Sequence, residues 1–183
     1  MASGPTSYVA LLRGLNVGGR NPVSMGDLAS VFTDAGYEDV RTHQQSGNVL
    51  FTSDRAPGAR LEGDIERMLE RRFGIPILAI VLTRAELANV VDDAPASHGQ
   101  ADERSEVIFL KRPLTAKQAL AAVPPLREGV DTISAGSRVL YFSRVKARAT
   151  KTRVQTLMAL PVFQQMTMRT WSTVERLLKS LDE

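Results

Sequence analysis

The densest run of chemistry-bearing residues is Arg13-Gly14-Leu15-Asn16-Val17-Gly18-Gly19-Arg20-Asn21. It follows an apolar run, Tyr8-Val9-Ala10-Leu11-Leu12. Glycines let backbone N–H groups come close to an anion, and the arginines and asparagines add side-chain donors. Gly14, Gly19 and Arg20 match the P-loop spacing of a glycine, four residues, a glycine and a base. Arg20 stands where that motif has lysine, and Asn21 where it has the magnesium-holding hydroxyl. Pro22 and Val23 also intervene before any helix. Three readings stay open: a nucleotide loop, a loop for some other anion or polar ligand, or a tight connection whose glycines only make turns.

Three further segments carry polar chemistry. Gln45-Ser46-Gly47-Asn48 reads as a hairpin turn, or as a turn whose amides and hydroxyl line a ligand rim. The stretch from Arg144 to Arg153 holds Arg144, Lys146, Arg148, Lys151 and Arg153 and no acid. It is either a solvated loop or a phosphate contact, because cations at a helix N-terminus are unfavourable until an anion joins them. Thr167-Met168-Arg169-Thr170-Trp171-Ser172-Thr173 contains the single tryptophan. Trp171 is read as a staple against a following helix or as a platform for a base. The candidate ligand-binding residues are therefore Arg13, Asn16, Gly18, Gly19, Arg20, Asn21, Gln45, Ser46, Asn48, Lys151, Arg169 and Trp171.

What is missing excludes several chemistries. The chain has no cysteine and two histidines, His43 and His98, so disulfides, iron–sulfur clusters and thiol nucleophiles drop out. No histidine pair has zinc-ligand spacing, and neither a metal nor a cofactor is expected. Ser46 lies near His43, but no third group completes a hydrolase arrangement. The net charge of +3 is a small surplus, so clustering of the basic residues matters more than the pI. Residues 1–7 have no basic flank or apolar run and do not read as a signal peptide. No apolar run approaches the ~20 residues a membrane helix needs, so a cytoplasmic protein without membrane partners is expected.

These segments must be held by ordinary elements, since at 43% hydrophobic and 23% charged the 183 residues have a globular composition. Strand 8–12 is followed by a helix capped by Ser24, with Met25, Leu28, Phe32 and Ala35 as its stripe and Gly36 as its stop. Strands around 40–44 and 49–51 flank the Gln45–Asn48 turn. A helix carrying Leu61, Ile65, Leu69 and Phe73 ends at Gly74, and 77–82 is a strand. Thr83 and Glu86 make a capping box for a short helix. The polar, Ala-, Pro- and Gly-containing segment 92–105 reads as a linker. The order then recurs: strand 107–110, a helix capped by Thr115 and Gln118, strands 131–134 and 139–142, a helix with Val154, Leu157 and Leu160, and strand 165–169. A closing helix is read as capped by Ser172 with Glu175.

The order β-α-β-β-α-β occurs twice, which predicts an α+β protein of two tandem ferredoxin-like plaits with antiparallel sheets and an extra C-terminal helix. The expected domains are 1–91 and 106–183, joined by 92–105. Strand order four-one-three-two would place Arg13–Asn21 beside Gln45–Asn48 on one edge of the first sheet. In the second it would place 143–153 beside 169–173. RNA-recognition plaits carry aromatics on their central strands, where this chain has Asn48 and Leu50.

The runs Tyr8 to Asn21, Gln45 to Phe51 and Thr167 to Val174 resemble the bacterial domain-of-unknown-function family 1697. The resemblance covers nearly the whole chain. It implies paired plait-like subdomains and brings no established activity. The chain departs from the family pattern at His43, where tyrosine is usual, and at Thr170 and Ser172, where asparagine is usual. The first departure argues against a shared catalytic role for His43. If the other two positions touch a ligand in relatives, those departures imply a variant ligand or weaker binding. On the residues, the leading expectation is a binding protein for a nucleotide or nucleic acid. The alternatives are an enzyme acting on a small polar or anionic metabolite at the same loop, and a structural or protein-interaction module. The sequence leaves oligomeric state open.

Overall fold

The computed structural model describes residues 4–16, 19, 22–43 and 47–183. The chain divides into two compact units, Met1–Leu87 with Leu177–Glu183, and Ala88–Arg176.

In the first unit the elements run β1 (Thr6–Arg13), α1 (Met25–Asp34), β2 (Glu38–His43), β3 (Asn48–Ser53), α2 (Ala59–Phe73) and β4 (Leu78–Thr83). They form an antiparallel sheet in the order β2-β3-β1-β4. Ser24 caps α1 by accepting from the Asp27 N–H at 2.9 Å, as its spacing predicts. Gly74 ends α2 in the left-handed region, with φ of 70°. Leu61, Ile65 and Leu69 of α2 are buried at helical spacing, beneath a ring cluster in which Phe51 meets Tyr8, Phe32 and Tyr37. Beside that stripe, one position further round the helix, the same turns carry acid. Glu62, fully buried, accepts from the Val81 N–H at 3.1 Å, and Glu66 accepts from the Ala79 N–H at 2.9 Å. Both donors lie on β4, the edge strand, so α2 covers backbone groups that an edge otherwise leaves open.

α3 (Arg84–Asp92) follows, with the Thr83–Glu86 capping box closed in both directions. The second unit repeats the topology: β5 (Glu103–Leu110), α4 (Ala116–Ala121), β6 (Asp131–Ala135), β7 (Val139–Val145), α5 (Val154–Met158) and β8 (Met166–Thr170), with the sheet order β6-β7-β5-β8. The chain closes in α6 (Trp171–Leu181). Ile108, Leu140, Phe142, Leu157, Phe163 and Met166 belong to the core of the second unit.

Local differences from the sequence reading have clear causes. β5 starts at Glu103, because its polar first residues pair across to Val145 and Arg144 on β7. Residues 98–103 hydrogen-bond within the second unit: Gly99 N–H to Ser105 Oγ at 2.8 Å, and Lys146 N–H to the Asp102 carbonyl at 2.9 Å. α6 begins at Trp171, directly after β8, and the Thr170 hydroxyl, rather than Ser172, accepts from the Thr173 N–H at 3.4 Å. α5 is one short helix between two 3-10 turns, since Pro161 breaks the run before Leu160 can extend it.

Candidate functional site

In the first unit the end of β1 lies beside the start of β3. Leu11 of β1 lies opposite Asn48 of β3, and the Leu12 N–H donates to the Gly47 carbonyl at 2.8 Å. Gly47 has φ of 77°, and a Cβ there would lie 3.1 Å from Leu12 Cβ and 3.3 Å from the Leu12 carbonyl oxygen. Only glycine brings the turn this close to the strand exit. The exit of β1 and the entry of β3 thus lie at one end of the first sheet.

The asparagines at this end act on backbone. Asn16, itself left-handed at φ 53°, donates from Nδ2 to the Val23 carbonyl at 2.9 Å and accepts the Val23 N–H on Oδ1 at 2.8 Å. Its amide therefore clamps the two ends of the Gly-rich loop like a piece of strand. Asn48, fully buried, donates to the His43 carbonyl at 3.0 Å and closes the hairpin. Arg13 ends β1 half-buried, and desolvation lowers its pKa. Gly14 and Gly19 both have positive φ, 88° and 74°. Gly18, Arg20, Asn21, Gln45 and Ser46 lie outside the described residues.

In the second unit Glu106 of β5 lies opposite both Phe142 of β7 and Thr170 of β8, which brings the basic stretch to the end of β8. Most of its cations have internal partners. Arg144 is buried and ion-paired with Glu106 at 3.3 Å, Lys146 donates to the Ala101 carbonyl at 2.7 Å, and Arg148 to the Gly129 carbonyl at 3.2 Å. At the start of α5, the Asp131 carboxylate accepts from the Arg153 N–H at 2.8 Å and from the Thr152 hydroxyl. An internal carboxylate thus stands at the helix start where the charge argument asked for an anion. Lys151 is exposed.

Arg169 is buried, with Nη1 donating to Thr167 Oγ1 at 2.8 Å and to the Met168 carbonyl at 2.9 Å, and burial pushes its pKa down to about 10. Trp171 meets the His98 ring edge-on at 4.8 Å between centroids. A Cβ on Gly99 would lie 2.7 Å from the indole, so the 98–99 turn fits under that ring.

His98 is the residue that sequence reasoning passed over. Its Nδ1 lies 3.1 Å from Ser143 Oγ, which lies 2.8 Å from Ser105 Oγ. Burial pushes its pKa down to about 4, so the ring stays neutral. The signal available in sequence was only a histidine in a polar segment, and its serines are 7 and 45 positions away. Among the described residues no group of three or more His, Asp or Glu could hold a metal ion. None of their helices is long and apolar enough to cross a membrane.

Residues 6–141 match the model of DUF1697, a protein family of unknown function. The chain belongs to the DUF1697 family. Among solved structures, the conserved bacterial protein SP0830 from Streptococcus pneumoniae is similar to this DUF1697 chain. The two share 26% sequence identity and a TM-score of 0.83, over 97% of this chain and 99% of that one. No curated protein matches. The DUF1697 match includes the Gly-rich segment and the 45–48 turn and stops before Lys151, Arg169 and Trp171.

Proposed function

We propose that this DUF1697 protein is a cytosolic binding protein for a phosphate-bearing ligand, a nucleotide or nucleic acid, held where segment 13–21 meets turn 45–48. The observation supporting the reading is the bond from the Leu12 N–H to the Gly47 carbonyl, which sets the 45–48 turn's glycine against the strand that leads into segment 13–21. Arg13 sits at that junction partly withdrawn from water, where its attraction for an anion is screened less than on an open surface. It is the residue proposed to contact the phosphate in a two-pronged manner. Gly18, Gly19, Arg20, Asn21, Gln45 and Ser46 are proposed to complete the rim. Asn16 and Asn48 hold its shape through the backbone bonds described above. Lys151, Arg169 and Trp171 remain proposed contacts of the second unit.

A second reading has its own observation. Asn16, Asn48 and Asp131 all satisfy backbone groups of this chain, as folding devices in a structural or interaction module would. Arg13→Lys separates the two. Melting is followed with and without ATP, GTP and a single-stranded oligonucleotide. The binding reading expects the ligand-free melting temperature to hold and the ligand-induced rise to shrink. A fall in the ligand-free protein, with no ligand raising the melting temperature of the wild type, supports the structural module instead.

A further inference from the structure

A second, separate concentration of positive charge lies on the outer side of α2. Arg55, Arg60, Arg67 and Arg71 line a groove of about 740 Å³, with Asp64 as the one acid among its walls. Along the sequence it is hidden because α2 mixes four acids with four arginines. The helix sorts them by face. At 100° per residue, positions 60, 67 and 71 fall within about 40° of one another and extend about 16 Å along the axis. Glu62 and Glu66 turn inward to β4 instead.

Each arginine is placed differently. Arg55 is held over the Tyr37 ring at 4.9 Å and donates to the Tyr37 hydroxyl at 3.0 Å. Arg67 is ion-paired with Asp64. Arg60 and Arg71 are exposed and have no carboxylate partner among the described residues. Four guanidinium groups against one carboxylate leave a surplus of three positive charges around a single groove. Its remaining surface includes Ala56, Pro57, Leu61 and Met68, an apolar floor between the charged walls. The volume falls in the range of small-ligand sites.

We propose that this groove binds a compact ligand with three closely spaced phosphate groups, carried on a nucleoside or free as a polyphosphate. Guanidinium forks match phosphate oxygens two at a time, and three surplus charges match a triphosphate better than a single phosphate. The apolar floor gives a nucleoside somewhere to lie. The groove shares no residue with the loop end of the first sheet, so either site can fail without the other.

The test is calorimetric titration of the whole protein at low ionic strength with ATP, with inorganic tripolyphosphate and with a short thymidine single strand. ATP or tripolyphosphate should bind, and Arg60→Ala and Arg71→Ala should each weaken it by about tenfold. Asp64→Asn should tighten binding about threefold by freeing Arg67. Glu128→Gln, the same charge change on the second unit, should leave it unaltered. ATP binding several-fold tighter than tripolyphosphate assigns the nucleoside to the apolar floor, and equal affinity assigns a free polyphosphate. The proposal is overturned if neither compound binds more tightly than about 1 mM. It is equally overturned if the Arg60→Ala/Arg71→Ala double variant binds like wild type, or if only the single strand binds.

Discussion

The two units solve one problem in opposite directions. Each uses a carboxylate to accept backbone N–H groups, but in the first unit it hangs from the helix and reaches the sheet, and in the second it hangs from the sheet and reaches the helix. Glu62 on the 15-residue α2 serves Val81 on an edge strand, whereas Asp131 at the start of β6 serves Arg153 before the five-residue α5. A long helix that buries Leu61, Ile65 and Leu69 is secured by its own apolar face and can spare a side chain for its neighbour. A helix of barely one turn is marginal alone and has to be held by others. The same topology therefore has a supporting helix in one unit and a supported one in the other.

Breaking the first carboxylate should have the largest effect. Glu62→Ala leaves the Val81 N–H without its acceptor and a gap at a fully buried site, at a cost of about 3 kcal/mol in urea unfolding. Amide exchange along β4 should quicken with it. A cost below about 1 kcal/mol would mean that the edge strand does not depend on α2. Asp131→Ala should cost less, about 2 kcal/mol, because Thr152 and the loop can turn to water. Its exchange signature should be confined to 146–160. Spread over all of β5–β8, it would show that α5 is part of the framework after all.

The smallest effect sharpens the contrast through pH. His98 titrates near 4 in the folded protein and near 6.5 when exposed. Between those values the unfolded chain binds the extra proton, so the second unit loses stability as pH falls from 6.5 towards 4 and loses no more below that. Allowing for screening of a partly exposed ring, the loss is about 1–2 kcal/mol. His98→Gln should remove that slope. Equal slopes in the two proteins would place the acid sensitivity elsewhere.

The topology was legible because apolar periodicity and capping residues agree: Ser24 with Asp27, Thr83 with Glu86, Thr115 with Gln118, and Gly74 at the end of α2. The meeting of the β1 exit with the 45–48 turn followed from strand order alone. What was not legible depended on partners distant in sequence. Asp131 reads as an ordinary strand residue until the fold brings it to Arg153. The polar start of β5 hides a strand because its pairing, rather than its hydrophobicity, makes it one. The basic stretch looked unneutralised because Glu106 lies 38 positions from Arg144. The arginine face of α2 was present as spacing and was obscured by the acids interleaved with it.

The first unit is not one continuous piece of chain, since Leu177–Glu183 group with it across the whole of the second. Arg41 donates to the Ser180 carbonyl at 2.8 Å, and Arg84 holds Asp182 at 2.7 Å. During synthesis this seam stays open while about 90 intervening residues are made, roughly 5–20 s at ordinary elongation rates. For that interval the nascent first unit presents an unfilled place to chaperones and proteases. The partner that finally fills it is a later stretch of its own polypeptide, so folding of the amino-terminal half is timed by translation of the other half.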